Sequence, residues 1–281
     1  MSDGRFGARL RAAVEARGPL CVGIDPHPSL LSAWGLPDTA SGLDRFSRTV
    51  VEAIADRVAV VKPQSAFFER FGSSGIAVLE STIRQLRESG ALVLLDVKRG
   101  DIGSTAAAYA DAYLDPTSPL RADAITASPY LGFGSLAPMI DKAVATGGGV
   151  FVLALTSNPE GPAVQHAVAA GGRTVAQTII DEISQVNAGV SPLGDIGVVV
   201  GATIGGTGHD LTALNGPVLA PGMGAQGGRP EDLRAVFGDD LSAVLPSYSR
   251  EVLATGPSVA AMRASVDRIL DACRDAVQPI G

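Results

Sequence analysis

The chain has 281 residues, 46% of them hydrophobic and 18% charged, and a formal net charge of −7. That is enough apolar material for a sizeable core and argues against intrinsic disorder. The acidic balance weighs against a general nucleic-acid binder or a membrane-surface protein, both usually basic. No run of about 18 apolar residues offers a membrane span. Residues 1–17 carry charges throughout and lack the apolar stretch of a signal peptide, which makes the cytoplasm the expected compartment. Cys21 and Cys273 are the two cysteines, too few for a disulfide framework or a paired zinc site.

In chain order, residues 5–17 read as a helix ahead of the first strand. Eight short apolar runs follow, at 20–24, 58–61, 91–95, 124–126, 150–155, 196–200, 217–220 and 243–245. Several are continuous rather than alternating, as strands of a buried parallel sheet should be. Between them, apolar residues recur at helical spacing over 41–57, 74–89, 135–146 and 175–187, and finally over 257–277. Gly90 and Gly147 stand where helices would stop. Residues 115–123 and 158–172 read as longer loops. Eight strands alternating with helices predict an α/β fold, a (β/α)8 TIM barrel with an extra N-terminal helix. No linker divides the chain, so residues 1–281 are expected to form one domain.

Active sites in such barrels lie where strands end and βα-loops begin. Those positions here are Asp25, Lys62, Asp96 with Lys98, Ser128, Thr156 with Ser157, Gly201, and the segments after Pro221 and Ser247. The chain has three lysines against nineteen arginines, and two of the three stand at these ends.

The strongest segment is Asp96-Val97-Lys98-Arg99-Gly100-Asp101-Ile102-Gly103-Ser104-Thr105. Residues two apart share a face of a strand, so Asp96 and Lys98 are expected to point into the barrel mouth while Val97 packs outward. Asp101 follows across a turn eased by Gly100. An opposite charge within about 4–6 Å favours the ionised form, so a lysine held beside an aspartate is an ammonium able to protonate carbon. Lys62 ends the second run, and Pro63 keeps it extended. Asp25 ends the first run in the same way, also before a proline.

After the seventh run comes Pro221-Gly222-Met223-Gly224-Ala225-Gln226-Gly227-Gly228. Residues 222–227 match G-x-G-x-x-G, but a dinucleotide site would need an acidic strand end about 20 positions on. Asp239 and Asp240 sit in a turn and do not supply it. A phosphate loop after strand seven of a barrel fits better, its glycine amides being expected to cradle the oxygens. Arg250, after strand eight, would add a guanidinium suited to bidentate contact. His27, His166 and His209 show no metal-ligand spacing.

Asp96-x-Lys98-x-x-Asp101-Ile102-Gly103-x-Thr105 resembles the active-site signature of the orotidine 5′-phosphate decarboxylase family. Lys62-Pro63-Gln64 with Phe67-Phe68-Glu69, and the 221–228 loop, resemble its longer bacterial (type 2) branch. The resemblance runs from Asp25 to Arg250. It implies a cofactor-independent enzyme that converts orotidine 5′-monophosphate to uridine 5′-monophosphate and CO2, the last step in making uridine 5′-monophosphate. It implies a catalytic array of Lys62, Asp96, Lys98 and Asp101. Asp25 and Lys62 match positions that bind ribose hydroxyls, Ser157 matches the residue that meets the pyrimidine, and Gln226 and Arg250 match the phosphate grip. In the family the last aspartate comes from the neighbouring subunit. Asp101 and Thr105 are therefore expected to reach into a partner's site within a homodimer.

Two other readings remain at this point. Metal-dependent sugar-phosphate decarboxylases and aldol-type synthases on the same barrel also carry D-x-K-x-x-D, but with Glu where Lys62 stands, because they hold Mg2+. Lys62 is a poor neighbour for a metal. The third reading is a catalytically inactive phosphate-binding barrel.

Overall fold

The computed structural model describes residues 4–206 and 208–277. Eight parallel strands close into a barrel in the order of the chain. They are β1 (Cys21–Ile24), β2 (Val60–Pro63), β3 (Leu92–Arg99), β4 (Ala124–Ala127), β5 (Gly149–Leu155), β6 (Ile196–Val200), β7 (Val218–Pro221) and β8 (Val244–Tyr248). All eight predicted strands are present, each within a few residues of its apolar run. The ring closes where Cys21 pairs with Ser247 and Val22 with Tyr248.

The helices are α1 (Phe6–Arg17), α2 (Ala40–Ile54), α3 (Gly72–Glu88), α4 (Gly103–Leu114), α5 (Ala137–Thr146), α6 (Val175–Val186), α7 (Leu233–Phe237) and α8 (Val259–Val277), with shorter turns between them. Thr39 and Thr174 start α2 and α6 by accepting the N–H groups of Gly42 and Gln177 on their hydroxyls. Gly147 ends α5 in the left-handed conformation. No helix of the described residues is long and apolar enough to cross a membrane.

Strand alternation divides the core into two layers, which is why the runs read as continuously apolar. Val22, Val61, Val93, Leu95, Val97, Ile125, Val152 and Val198 face outward and pack beneath the helices. Cys21, Val60, Leu92, Leu94, Ala124, Phe151, Val199, Leu219 and Leu245 fill the barrel interior. Helix α1 plugs the N-terminal end of that interior. Its Phe6 meets Phe151 edge-on, with ring centroids 6.0 Å apart. Two buried aspartates fasten it. Asp195 accepts the Gly7 N–H at 2.8 Å and pairs with Arg5 at 2.7 Å, and Asp123 pairs with Arg9 at 2.6 Å. With the lower end closed by packing, the opening lies at the C-terminal ends of the strands.

Candidate active site

A cavity of about 360 Å³ opens there. Its walls include Asp25 from the end of β1, Lys62 on β2, Asp96 on β3, Gln226 after β7, and Ser249 and Arg250 after β8. Five residues singled out in the sequence are thus gathered round one space.

Asp96 is its electrostatic centre. The carboxylate is 7% exposed. Lys62, 6% exposed, donates from Nζ to Asp96 Oδ2 at 3.0 Å. Lys98 donates from Nζ to Asp96 Oδ1 at 2.6 Å. Burial alone would raise the Asp96 pKa, but the ammonium groups of Lys62 and Lys98 outweigh it and hold the carboxyl well below its usual range. Burial likewise opposes the charge on Lys62, and Asp96, then Asp25, push its pKa up instead. On the neighbouring strand β1, burial pushes the Cys21 thiol up to about 11, which keeps it neutral.

Lys98 reaches Asp96 by a route that strand alternation does not describe. Val97 packs outward as expected, but Lys98 has φ +45°, in the left-handed region. For a residue with a Cβ that conformation costs about 1–3 kcal/mol and persists only where the surroundings impose it. The β3–β4 register shifts between Leu95 and Arg99, so this is a bulge at the strand end. Thr126, on β4 and 1% exposed, occupies the gap. Its hydroxyl accepts the Lys98 N–H at 2.9 Å and donates to Asp96 Oδ1 at 2.8 Å. Gly100 follows because a Cβ there would lie 2.2 Å from the Ser128 carbonyl. The Lys98 side chain remains 46% exposed and joins the cluster through Asp96 rather than lining the cavity.

Around this array, Gln64 takes a long 3.5 Å contact from Lys62 Nζ. Asp25 Oδ1 and Ser249 Oγ are buried without a hydrogen-bond partner among the described residues. Such atoms are rare in folded proteins and mark a place where a polar ligand group can be satisfied. Arg250 is exposed and enters no ion pair with a described residue.

The 221–228 loop differs from expectation in one respect. The N–H groups of Gly224, Gly227 and Gly228 donate to carbonyls of Gly228, Gly224 and Gly222. Three glycine amides therefore hold the loop's own shape instead of facing a ligand. The Gln226 side chain lies over Gly222.

Asp101, Thr105 and Ser157 lie outside the cavity lining. Asp101 Oδ1 accepts the N–H of its neighbour Ile102 at 2.8 Å. Thr105 is exposed on the first turn of α4. Close by, the loops after β3 and β4 expose Ile102 (63%), Tyr130 (80%) and Leu131 (54%). Ser157 is exposed beside Gly201. Sequence reasoning missed Thr126 and Ser249. Ser249 lay in the segment after Ser247 but was not singled out, whereas Thr126 is the last residue of an apolar run and carries no spacing signal.

Known proteins resemble the chain over nearly its full length. The family model described as "Orotidine 5′-phosphate decarboxylase / HUMPS family" matches residues 18–265. An orotidine 5′-phosphate decarboxylase of Salinispora arenicola is 74% identical over 272 residues, covering 97% of this chain and 98% of its own. A crystal structure from Streptomyces avermitilis is 59% identical and superposes with a TM-score of 0.96, covering 99% of this chain and 97% of that one. The OMP decarboxylase of Leishmania donovani is 30% identical, with a TM-score of 0.75 and coverage of 97% and 98%.

Proposed function

The chain belongs to the orotidine 5′-phosphate decarboxylase / HUMPS family, and we propose how its residues carry out the decarboxylation of orotidine 5′-monophosphate. The product is uridine 5′-monophosphate, and the step completes its synthesis. The observation that carries the assignment of roles is one buried carboxylate, Asp96, held between the ammonium groups of Lys62 and Lys98.

In this reading Gln226 and Arg250 grip the phosphate at one end of the cavity. Asp25 and Lys62 take ribose hydroxyls, and Ser157 approaches the pyrimidine when its loop closes. The substrate carboxylate is set beside Asp96. Two like charges 4 Å apart repel by about 4 kcal/mol at an effective dielectric near 20. The bond from C6 to the carboxyl carbon breaks, CO2 leaves, and the electron pair stays on C6. Lys98 stabilises that charge and delivers a proton to C6. Its half-exposed ammonium regains the proton from solvent. Phosphate binding, remote from the reacting carbon, holds the loops closed over the ring.

Asp101 and Thr105 act in the site of a second copy, and the active unit is a homodimer of one-domain (β/α)8 protomers. The exposure of both residues beside Ile102, Tyr130 and Leu131 supports this. The reaction runs in the cytoplasm on a small-molecule substrate. Against a Mg2+-dependent aldol-type reading stands the Lys62 ammonium, 3.0 Å from Asp96, where it would repel a dication. An assay of orotidine 5′-monophosphate decarboxylation in the presence of a chelator tests the proposal. Full activity with chelator is the expected result. Activity that vanishes with chelator and returns with Mg2+ would favour the metal-dependent reading, and no turnover in either case would favour an inactive barrel.

A further inference from the structure

We propose that Thr126 is a positioning residue for the decarboxylation, acting through Asp96 and through the backbone of Lys98. The inference rests on the roles given above to those two residues.

Thr126 Oγ1 is the only described side-chain atom that hydrogen-bonds both to the Asp96 carboxylate and to the Lys98 backbone. Its proton is placed without ambiguity. The Lys98 N–H can only donate, and the Asp96 carboxylate can only accept, so the hydroxyl accepts from one and donates to the other. The relay does two things at once. It supplies the Lys98 amide with the acceptor that the shifted β3–β4 ladder no longer provides, and so holds Lys98 at φ +45°. It also fixes the plane of the Asp96 carboxylate. Oδ1 takes Thr126 at 2.8 Å and Lys98 at 2.6 Å, while Oδ2 takes Lys62 at 3.0 Å. Two of these three donors sit on flexible four-carbon stems. Thr126, β-branched and buried in a strand, is the stiff one. A proton donor must stand within hydrogen-bond reach of the carbon it protonates, and small misplacements are costly. Thr126 sets that placement without touching the substrate.

Three variants and one structure test this. Thr126→Val keeps the shape and removes the hydroxyl, Thr126→Ser keeps the hydroxyl, and Thr126→Ala serves in place of Val should the valine protein not fold. The valine (or alanine) protein should lose about 10- to 100-fold in kcat, with KM and uridine 5′-monophosphate affinity within about threefold of wild type. Thr126→Ser should recover kcat to within about threefold. A kcat within threefold for Thr126→Val, or a serine protein as slow as valine, would overturn the proposal. So would parallel losses in kcat and in product affinity, the mark of general damage. A wild-type protein inactive on orotidine 5′-monophosphate would count against the decarboxylase reading itself. The Thr126 assignment would then be judged on a crystal structure of Thr126→Val. Release of Lys98 from the left-handed region, or rotation of the Asp96 carboxylate, is expected, and an unchanged strand end would refute it.

Discussion

Lys62 Nζ and Asp96 Oδ2 stand 3.0 Å apart on neighbouring strands, and both side chains are 8% exposed. Burying charges is unfavourable, and removing one member of such a cluster weakens the compensation of the rest. Lys62→Ala leaves Asp96 paired with Lys98 and Thr126, so it should destabilise the fold by about 1.5–3 kcal/mol near neutral pH, the loss of one charge-assisted contact. The pH dependence follows from the two shifts. Asp96 is depressed, so its contribution is present above its ordinary 3.8 and is lost as pH falls through the lower folded value. Lys62 is raised, so its contribution is present below its ordinary 10.5 and is lost as pH rises through the higher folded value. Urea unfolding of wild type and Lys62→Ala should show a gap that is widest between about pH 4 and 10 and narrows on either side. A gap that grows towards acid pH would show that the pair does not act as described.

Arg250 lines the same cavity from the segment after β8, and its guanidinium has no described carboxylate partner. Arg250→Ala should remove a charge-assisted contact of about 1.5–3 kcal/mol or more from transition-state binding. The loss should be read in kcat/KM for orotidine 5′-monophosphate and be nearly absent for orotidine. Equal losses on both substrates would place Arg250 away from the phosphate.

Asp101 turns its carboxylate to the Ile102 amide of its own loop and lies outside the cavity lining, whereas Lys98 joins Asp96 in its own barrel. Mixing inactive Lys98→Ala and Asp101→Ala proteins under subunit exchange should restore activity. Each mixed dimer would carry one site with both lesions and one with neither. Half the dimers are mixed at equal input, so about a quarter of all sites should work. Sizing should show a dimer at assay concentration. Exchange demonstrated by mass with no return of activity would mean that Asp101 serves its own subunit.

The barrel was legible because parallel strands covered on both faces leave continuous apolar runs, and all eight were there to be read. Helix α4 was not. Its buried face is Ala106, Ala110, Tyr113 and Leu114, too small at its start to stand out as a hydrophobic stripe. Strand β3 runs four residues beyond its apolar run because Asp96, Lys98 and Arg99 are polar. The crossover from β6 to β7 has no helix among its described residues.

Within the site, the charged residues were readable from their places at strand ends. Their geometry was not. The left-handed Lys98 depends on a register shift between two strands, and Thr126 meets Asp96 across 30 positions of chain. Neither leaves a local pattern. The glycines of the 221–228 loop pointed correctly to an unusual backbone, but composition could not tell whether their amides face a ligand or one another. Ser157 depends on its loop's position over the cavity, which residue type does not encode.

The most direct measurement is the turnover of Lys98→Ala on orotidine 5′-monophosphate, with folding checked by circular dichroism. The substitution leaves Asp96 paired with Lys62 and Thr126, so the barrel should stay intact while the proton source is gone. The account predicts a fall in kcat far greater than about 100-fold, since proton transfer and charge stabilisation are both lost. Turnover near that of wild type in a folded Lys98→Ala protein would contradict it.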